Sequence, residues 1–362
     1  MFNKPGELES YNFDCDFDKI KRAEPKILPD KLKLYVEYQW ERTKIYYKKE
    51  VLKDPYPWTY NKILREYRFT NTRRELDRES KWLIDNILNK GDSEISYENK
   101  ILNSFLFRII NKGSAMELLF PEKYFDFSIS EKELHKELQH IDKLVDKYYS
   151  EGVSLQNDAY MISGVARGIN WALEKRFKKV YNGVTNRIWY IYLQKDFLLD
   201  LAKNKNPWEY NQEIKKIAGF NGKFIDYQVW VDLTYIGAYT PKTNHFYPYS
   251  ENTFVVSGPG CDKGILWMVG NNPDNLDGLS FTEFLYWFRD NLPELCKIND
   301  LPWNPNEMFG FLPENQRQWG LMQIENSFCE FDKFNRLQFS EKRSRNRKYK
   351  PEQCGKNILE LF

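Results

Sequence analysis

From Lys31 onward, apolar side chains recur three and four residues apart through KLKLYVEYQWERTKIYYKKE, and the pattern stops only at DPYPW. That period dictates an amphipathic helix, and it returns along most of the chain. After Thr70 and Asn71, residue types that cap helices well, RRELDRESKWLIDNILN sets Leu76, Leu83, Ile84 and Ile87 on one face. Further helices are expected near 97–111, 131–149, 157–178, 185–203 and 207–218. Strand-like alternation is sparse: RIWYIYL reads either way, and TFVVSG is the better strand candidate. The expected fold is therefore mainly α with few short strands. Residues 1–30, polar and punctuated by Pro5, Pro25 and Pro29, read as an irregular lead-in. Residues 31–340 read as one helical domain, with NKGDSEIS (89–96) as a loop inside it, and 341–362 as a basic tail.

Composition narrows the function classes. Aromatic residues make up 17% of the chain (11 Trp, 24 Tyr, 25 Phe), enough either for a thick core or for faces on which bases stack. The formal charge is only +2, so a nucleic-acid surface must come from local clustering. EKRSRNRKYK supplies one cluster, with Lys342, Arg343, Arg345, Arg347, Lys348 and Lys350 against Glu341; it suits phosphate contacts or a solvated tail. Five scattered cysteines without a CxxC pair and three histidines argue against a zinc site or a disulfide framework, and for a reducing compartment. No apolar run of about 18 residues and no cationic start leading into one occurs, so neither a membrane span nor a signal peptide is expected.

Four segments carry side chains suited to chemistry. In YRFTNTRRELDRES (67–80), Arg74 and Arg78 are four residues apart with Asp77 between them. On one helix both guanidinium groups would project along a single face near a helix start, a good place for phosphate. A solvated helix with Glu75 and Asp77 pairing the arginines is the alternative. In IKKIAGFNGKFIDYQVWVDL, Gly219 and Gly222 separate an apolar helix end from a new helix, with Lys223 following. This reads as a helix-hairpin-helix over about 207–233, whose glycines would let backbone amides face one DNA phosphate. Its spacing is one residue longer than G-x-G. In FVVSGPGCDKGI, Gly258, Pro259 and Gly260 force a tight backbone and Lys263 sits at a helix start, suited to an anion. The sequence contains no G-x-x-x-x-G-K-[ST] phosphate loop. In SFCEFDKFNRL, Glu330 and Lys333 are i, i+3, Asp332 and Arg336 are i, i+4, and Phe328, Phe331 and Phe334 form an apolar stripe. Carboxylate beside ammonium suits acid–base work, and a structural ion pair would look the same.

R-F-T-N-x-x-R-E-L-D-R, G-F-x-G…Y-Q-x-x-x-D-L, F-V-V-x-G-P-G-x-x-x-G-I and C-E-F-D-K-x-x-R occur in that order. Together they resemble the helical domain associated with 5-hydroxymethyluracil DNA kinases and with the α-glutamyl/putrescinyl-thymine pyrophosphorylases, the amino acid:DNA transferases of bacteriophages. The resemblance spans roughly residues 35–340. It implies a helix-hairpin-helix fold related to DNA glycosylases and a role in thymidine hypermodification. A flipped-out nucleotide, pyrophosphorylated on its 5-hydroxymethyl group, would meet an amine such as glycine or putrescine, and pyrophosphate would leave. The implied partners are duplex DNA carrying 5-hydroxymethyluracil derivatives and an amino acid or polyamine, with no membrane; the implied setting is the cytoplasm of an infected bacterium. No cofactor or metal is expected, and ATP enters only if the chain is the kinase. Where glycosylases present an Asp after the hairpin, this chain reads V-S-G-P-G, which disfavours excision, although Asp232 and Asp262 lie nearby in sequence.

On this reading Arg74, Arg78 and Lys263 clamp pyrophosphate, with Asn71, Asp77, Gly258 and Gly260 completing the substrate site and Asn71 on the base edge. Asp332 or Glu330 takes the proton of the amine, and Lys333 or Arg336 orients that carboxylate or supports the leaving group. Gly219, Gly222, Lys223, Lys342, Arg343, Arg345 and Arg347 contact DNA. A 5-hydroxymethyluracil DNA kinase, or a non-catalytic DNA-binding module partnering one, are the alternatives.

Overall fold

In the computed structural model, the described residues are 11–156, 162–177, 181, 183–220, 224–238, 247–339 and 348, with 162–166 described by backbone alone. In chain order the helices are α1 (Phe17–Arg22), α2 (Pro29–Tyr46), α3 (Lys62–Glu66), α4 (Arg78–Leu83), α5 (Tyr97–Ile110) and α6 (Gly113–Leu119). There follow α7 (Glu131–Ser150), α8 (Ile162–Arg176), α9 (Gly183–Leu193), α10 (Lys195–Asn204), α11 (Pro207–Glu213) and α12 (Phe224–Thr234). The last four are α13 (Pro259–Met268), α14 (Phe281–Ile298), α15 (Pro305–Met308) and α16 (Leu321–Phe339). The chain is mainly α, as its periodicity predicts. Within the lead-in, Phe17–Arg22 is helical, capped by Asp16. Neither strand candidate pairs: RIWYIYL lies inside α9, and TFVVSG is extended without a ladder partner. Among the described residues the single bridge joins Tyr67 and Lys348.

By its internal contacts the chain divides into two units, Arg78–Phe254 with Met1–Asn12, and Phe13–Asp77 with Val255–Phe362. In sequence, Arg78–Phe254 is thus inserted between the two segments of the second unit. Within the inserted unit α5 is buried on every side from Asn99 to Ile110, as a central helix must be. Its polar side chains tie down loops: Asn103 exchanges hydrogen bonds with the backbone of Phe125 (2.8 and 2.9 Å), and fully buried Lys100 donates to the Lys90 carbonyl (2.6 Å) and Asp92 (3.0 Å). Arg108 forms a buried bidentate pair with Asp232 of α12. Outside α5, α7 lays Leu134, Leu138, Ile141 and Val145 inward and is held at its start by a Ser130–Glu133 capping box.

The flanking unit is built on α16. Gly260 and Gly264, one turn apart on α13, bring that helix against α16 closer than any other residue type allows. A Cβ on Gly264 would lie 2.0 Å from the Phe328 carbonyl oxygen, and one on Gly260 would lie 2.5 Å from the Cys329 sulfur. An aromatic cluster packs on α16 as well: Tyr35 of α2 meets Phe288, Phe328 and Phe331 with ring centroids 5.1–5.5 Å apart, and Tyr38 meets Phe334 at 5.1 Å. Much of the aromatic surplus is therefore core.

Candidate active site

The segment 68–77 does not continue a helix. Arg74–Leu76 is a single 3-10 turn, Asp77 is extended, and α4 begins afresh at Arg78. Side chains made this choice. Asp77 accepts the Asn71 amide (2.7 Å), and Asn71 donates to the Leu76 carbonyl (2.7 Å), so the two residues close the segment on itself in place of capping a helix. Its remaining backbone groups are held from two helices. Arg42 of α2 donates to the carbonyls of Phe69 (3.2 Å) and Thr70 (3.0 Å) and to Asn71 Oδ1 (3.0 Å). From α16, Glu330 accepts the Thr70 amide (3.2 Å), Asn326 donates to the Asn71 carbonyl (3.0 Å), and Lys333 donates to the Arg68 carbonyl.

This clamped loop delivers Arg74 to a group of acids. Arg74 is 3% exposed, with Nη1 3.4 Å from Asp77 Oδ2. Burial pushes Asp77 up to about 6 against the pull of Arg74, the Asn71 amide and Arg42, with Glu330 adding to the rise. Deeper still is Glu325 of α16, 1% exposed, whose carboxylate oxygens have no hydrogen-bond partner of good geometry. Burial pushes its carboxyl up to about 8; the Gly258 amide, at the cap of α13, and the Arg74 guanidinium lower it, and Asp262 raises it. Desolvation outweighs the two favourable partners. The cluster thus grades from a carboxyl near neutrality at its floor to Glu330 and Lys333 (3.3 Å apart, 13% and 18% exposed) at its edge.

Of the residues singled out in the sequence, the structure brings Asn71, Arg74, Asp77, Glu330 and Lys333 together, with Gly258 beside Glu325. Arg78 is not among them, because the helix breaks at Asp77: Arg78 is exposed, pairs with Glu79 and belongs to the inserted unit. Asn71 spends both ends of its amide on Arg42 and Leu76, which leaves it as a loop staple. Asp332 is engaged by the Trp267 indole (3.2 Å) and Arg336 (2.8 Å), tying α13 to α16. Gly260 serves helix packing, while Lys263 stands exposed just past the first turn of α13 with no bond or ion pair among the described residues. Asp232 is locked to Arg108 and Asp262 accepts the Ser257 hydroxyl, so both acids near the glycosylase-like position have partners. Glu325 and Arg42 were missed by the sequence reading.

Gly219 has φ of 90°, the conformation that a tight hairpin asks of glycine. Gly222 and Lys223 lie outside the described residues, as do Lys342, Arg343, Arg345 and Arg347. Of the basic tail Lys348 is described; it pairs with Glu66 (3.5 Å) and lies over the Tyr67 ring (5.3 Å). Two shallow cavities of about 290 and about 370 Å³ open on the flanking unit, neither lined by a residue of the acidic cluster. Among the described residues no helix is long and apolar enough to cross a membrane, and no three potential ligands gather as a metal site.

A mainly helical chain with a buried carboxyl–guanidinium cluster defines a class broader than any one activity; sequence comparison narrows it. Residues 30–344 match the family described as "5-hmdU DNA kinase, helical domain", and the chain belongs to that family. A curated relative, the 5-hmdU DNA kinase of Bacillus phage SP10, is 27% identical over 255 residues, covering 68% of this chain. The chain matches 38% of that kinase's length, well under two thirds of it. No solved structure matches the chain.

Proposed function

We propose that the chain is a phage-type thymidine hypermodification enzyme that joins an amino acid or polyamine to the 5-methylene carbon of pyrophosphorylated 5-hydroxymethyldeoxyuridine in DNA. The observation that carries this reading is the buried cluster in which the 68–77 loop sets Arg74 and Asp77 beside Glu325 of α16: burial pushes the Glu325 carboxyl up to about 8, which suits it to take and return a proton near neutral pH. An attacking ammonium must lose a proton before its nitrogen can bond to carbon. In the proposed step the amine lone pair forms the N–C bond, the C–O bond to pyrophosphate breaks with its electron pair, and the proton passes to Glu325, which substrate binding must first uncover because the side chain is 1% exposed. Arg74 holds Glu325 partly charged; Lys263 and the start of α13 offer positive charge for the leaving group. The target base must leave the stack to reach such a site, hence base flipping. Membership of a family named for the helical domain of 5-hmdU DNA kinases supports a substrate among modified thymines.

One observation favours a second reading. The relative from Bacillus phage SP10 is called a kinase, and a phosphoryl transfer to the 5-hydroxymethyl group would need ATP. The deciding assay incubates the chain with ATP and either pyrophosphorylated or unphosphorylated 5-hydroxymethyluracil DNA, with and without amines, and measures pyrophosphate released and ATP consumed. Amine-dependent pyrophosphate release supports the transferase and should vanish in Glu325→Gln. ATP consumption with phosphate gained by unphosphorylated DNA overturns it in favour of the kinase.

A further inference from the structure

Within the inserted unit, α8 buries Ile169 and Leu173 and turns its opposite side outward. On that outer face stands Trp171, 61% exposed. An indole left in water has no benefit to folding, so a large exposed Trp asks for a partner. Its neighbours one turn away on either side are Arg167 and Lys175, both exposed, and Lys175 Nζ lies 5.1 Å from the indole centroid. The adjoining acid on this face is Glu174.

A second, independent observation comes from the glycines. A Cβ on Gly168 would lie 2.6 Å from Gly219 Cα, so the hairpin backbone runs directly against α8, one step round the helix from Trp171. Gly219 is in the left-handed conformation, and exposed Lys215 and Lys216 precede it. Lys216 is paired with Glu213 and Lys215 donates to Gln212 (2.8 Å), both local contacts at the surface that a phosphate can replace. The indole and its flanking cations therefore stand on the helix that packs against the Gly219 backbone, with Lys215 and Lys216 close by in sequence.

The geometry points to a nucleic-acid contact in which Trp171 stacks on an unpaired base while Arg167 and Lys175 hold the phosphates on either side of it. This rests on the reading that the chain works on DNA. The chemistry is that of single-strand platforms: the aromatic face is indifferent to sequence, and the cations follow the backbone. A flipped or bulged nucleotide offers such a base, and a perfectly paired duplex does not.

The test uses the 362-residue chain with three fluorescein-labelled probes of one sequence: a 20-nucleotide single strand, the paired duplex, and a duplex with one extra unpaired base. Trp171→Ala is expected to weaken binding to the single strand and the bulged duplex about five- to a hundredfold, with a smaller effect on the paired duplex. Trp171→Phe keeps a ring and should stay within about threefold of wild type. Lys175→Gln should lower the slope of log affinity against log salt by about one, a change Trp171→Ala does not make. Circular dichroism of each variant guards against misfolding, and loss of structure on Trp171→Ala would itself overturn the assignment by showing the indole to be structural. Equal affinity of wild type and Trp171→Ala on all three probes overturns this contact and leaves the DNA reading standing. Absence of any binding by the wild type removes both.

Discussion

Replacing Glu325 by Gln should make the protein more stable and inactive at once. Unfolding lets the carboxyl return to its ordinary value near 4.5, whereas the folded protein holds it at about 8. A raised folded value means that the native state binds the proton more tightly, so the contribution of Glu325 is fully present below about 4.5 and is lost as pH rises to about 8. At about 1.4 kcal/mol per pH unit, ionising this group on unfolding costs the wild type about 3 kcal/mol of stability at pH 7 and about 4 kcal/mol at pH 8, where the native group is itself half ionised. Gln has nearly the shape of the protonated acid and never ionises, so the variant escapes that loss. Asp77, raised to about 6, contributes its own slope at lower pH in both proteins and cancels in the comparison. Equilibrium urea unfolding at half-unit steps from pH 4.5 to 8.5, followed by tryptophan fluorescence, gives the two curves. They should meet near pH 4.5 and diverge steadily until about pH 8. Parallel curves over this range would refute the reasoning, because they require a Glu325 that ionises in the native state as readily as in the unfolded chain; a constant offset superposed on the divergence would reflect only the packing of Gln.

Other consequences follow from single contacts. Gly264→Ala puts a methyl group 2.0 Å from a backbone oxygen that cannot turn aside, and should cost at least about 3 kcal/mol in a thermal melt. Gly260→Ala meets a cysteine side chain, so the double variant with Cys329→Ala should recover much of the loss, and an additive double variant would count against this packing. Asp232→Asn strips from Arg108, itself 3% exposed, the one carboxylate it pairs with among the described residues, and should destabilise the inserted unit by about 3–5 kcal/mol. Asp332→Asn keeps the Trp267 contact and loses a half-exposed ion pair; it should cost under about 1 kcal/mol and leave most activity intact, whereas total loss would move the base from Glu325 to Asp332.

Long helices were legible because their apolar period runs for several turns: α5, α7 and the start of α2 follow it closely. The expected helix from Arg73 failed for a local reason, since Asn71 and Asp77 satisfy backbone groups that a helix would have used, and this is not visible in hydrophobic spacing. RIWYIYL is β-branched and aromatic enough for a strand, and only burial on every side from Val184 to Ile191 made it a helix. The glycines of the GPGxxxG segment were read for phosphate; their four-residue spacing is equally the signature of a close helix contact, and that is their use in the structure. Glu325 was overlooked although a signal existed. It stands three residues before Phe328, on the stripe that also carries Phe331, and a carboxylate in such a place must be buried. What no pattern could supply was the neighbour, Arg74, some 250 residues away in sequence.

The most direct test of the central claim is mass spectrometry of nucleosides digested from 5-hydroxymethyluracil DNA that has been phosphorylated by a 5-hydroxymethyluracil DNA kinase and then treated with this chain and a mixture of amino acids and polyamines. A new thymidine bearing an amine on its 5-methylene carbon is expected, absent when Glu325→Gln replaces the wild type. Recovery of only phosphorylated or unmodified nucleosides, with every amine offered and the protein folded, would contradict the claim.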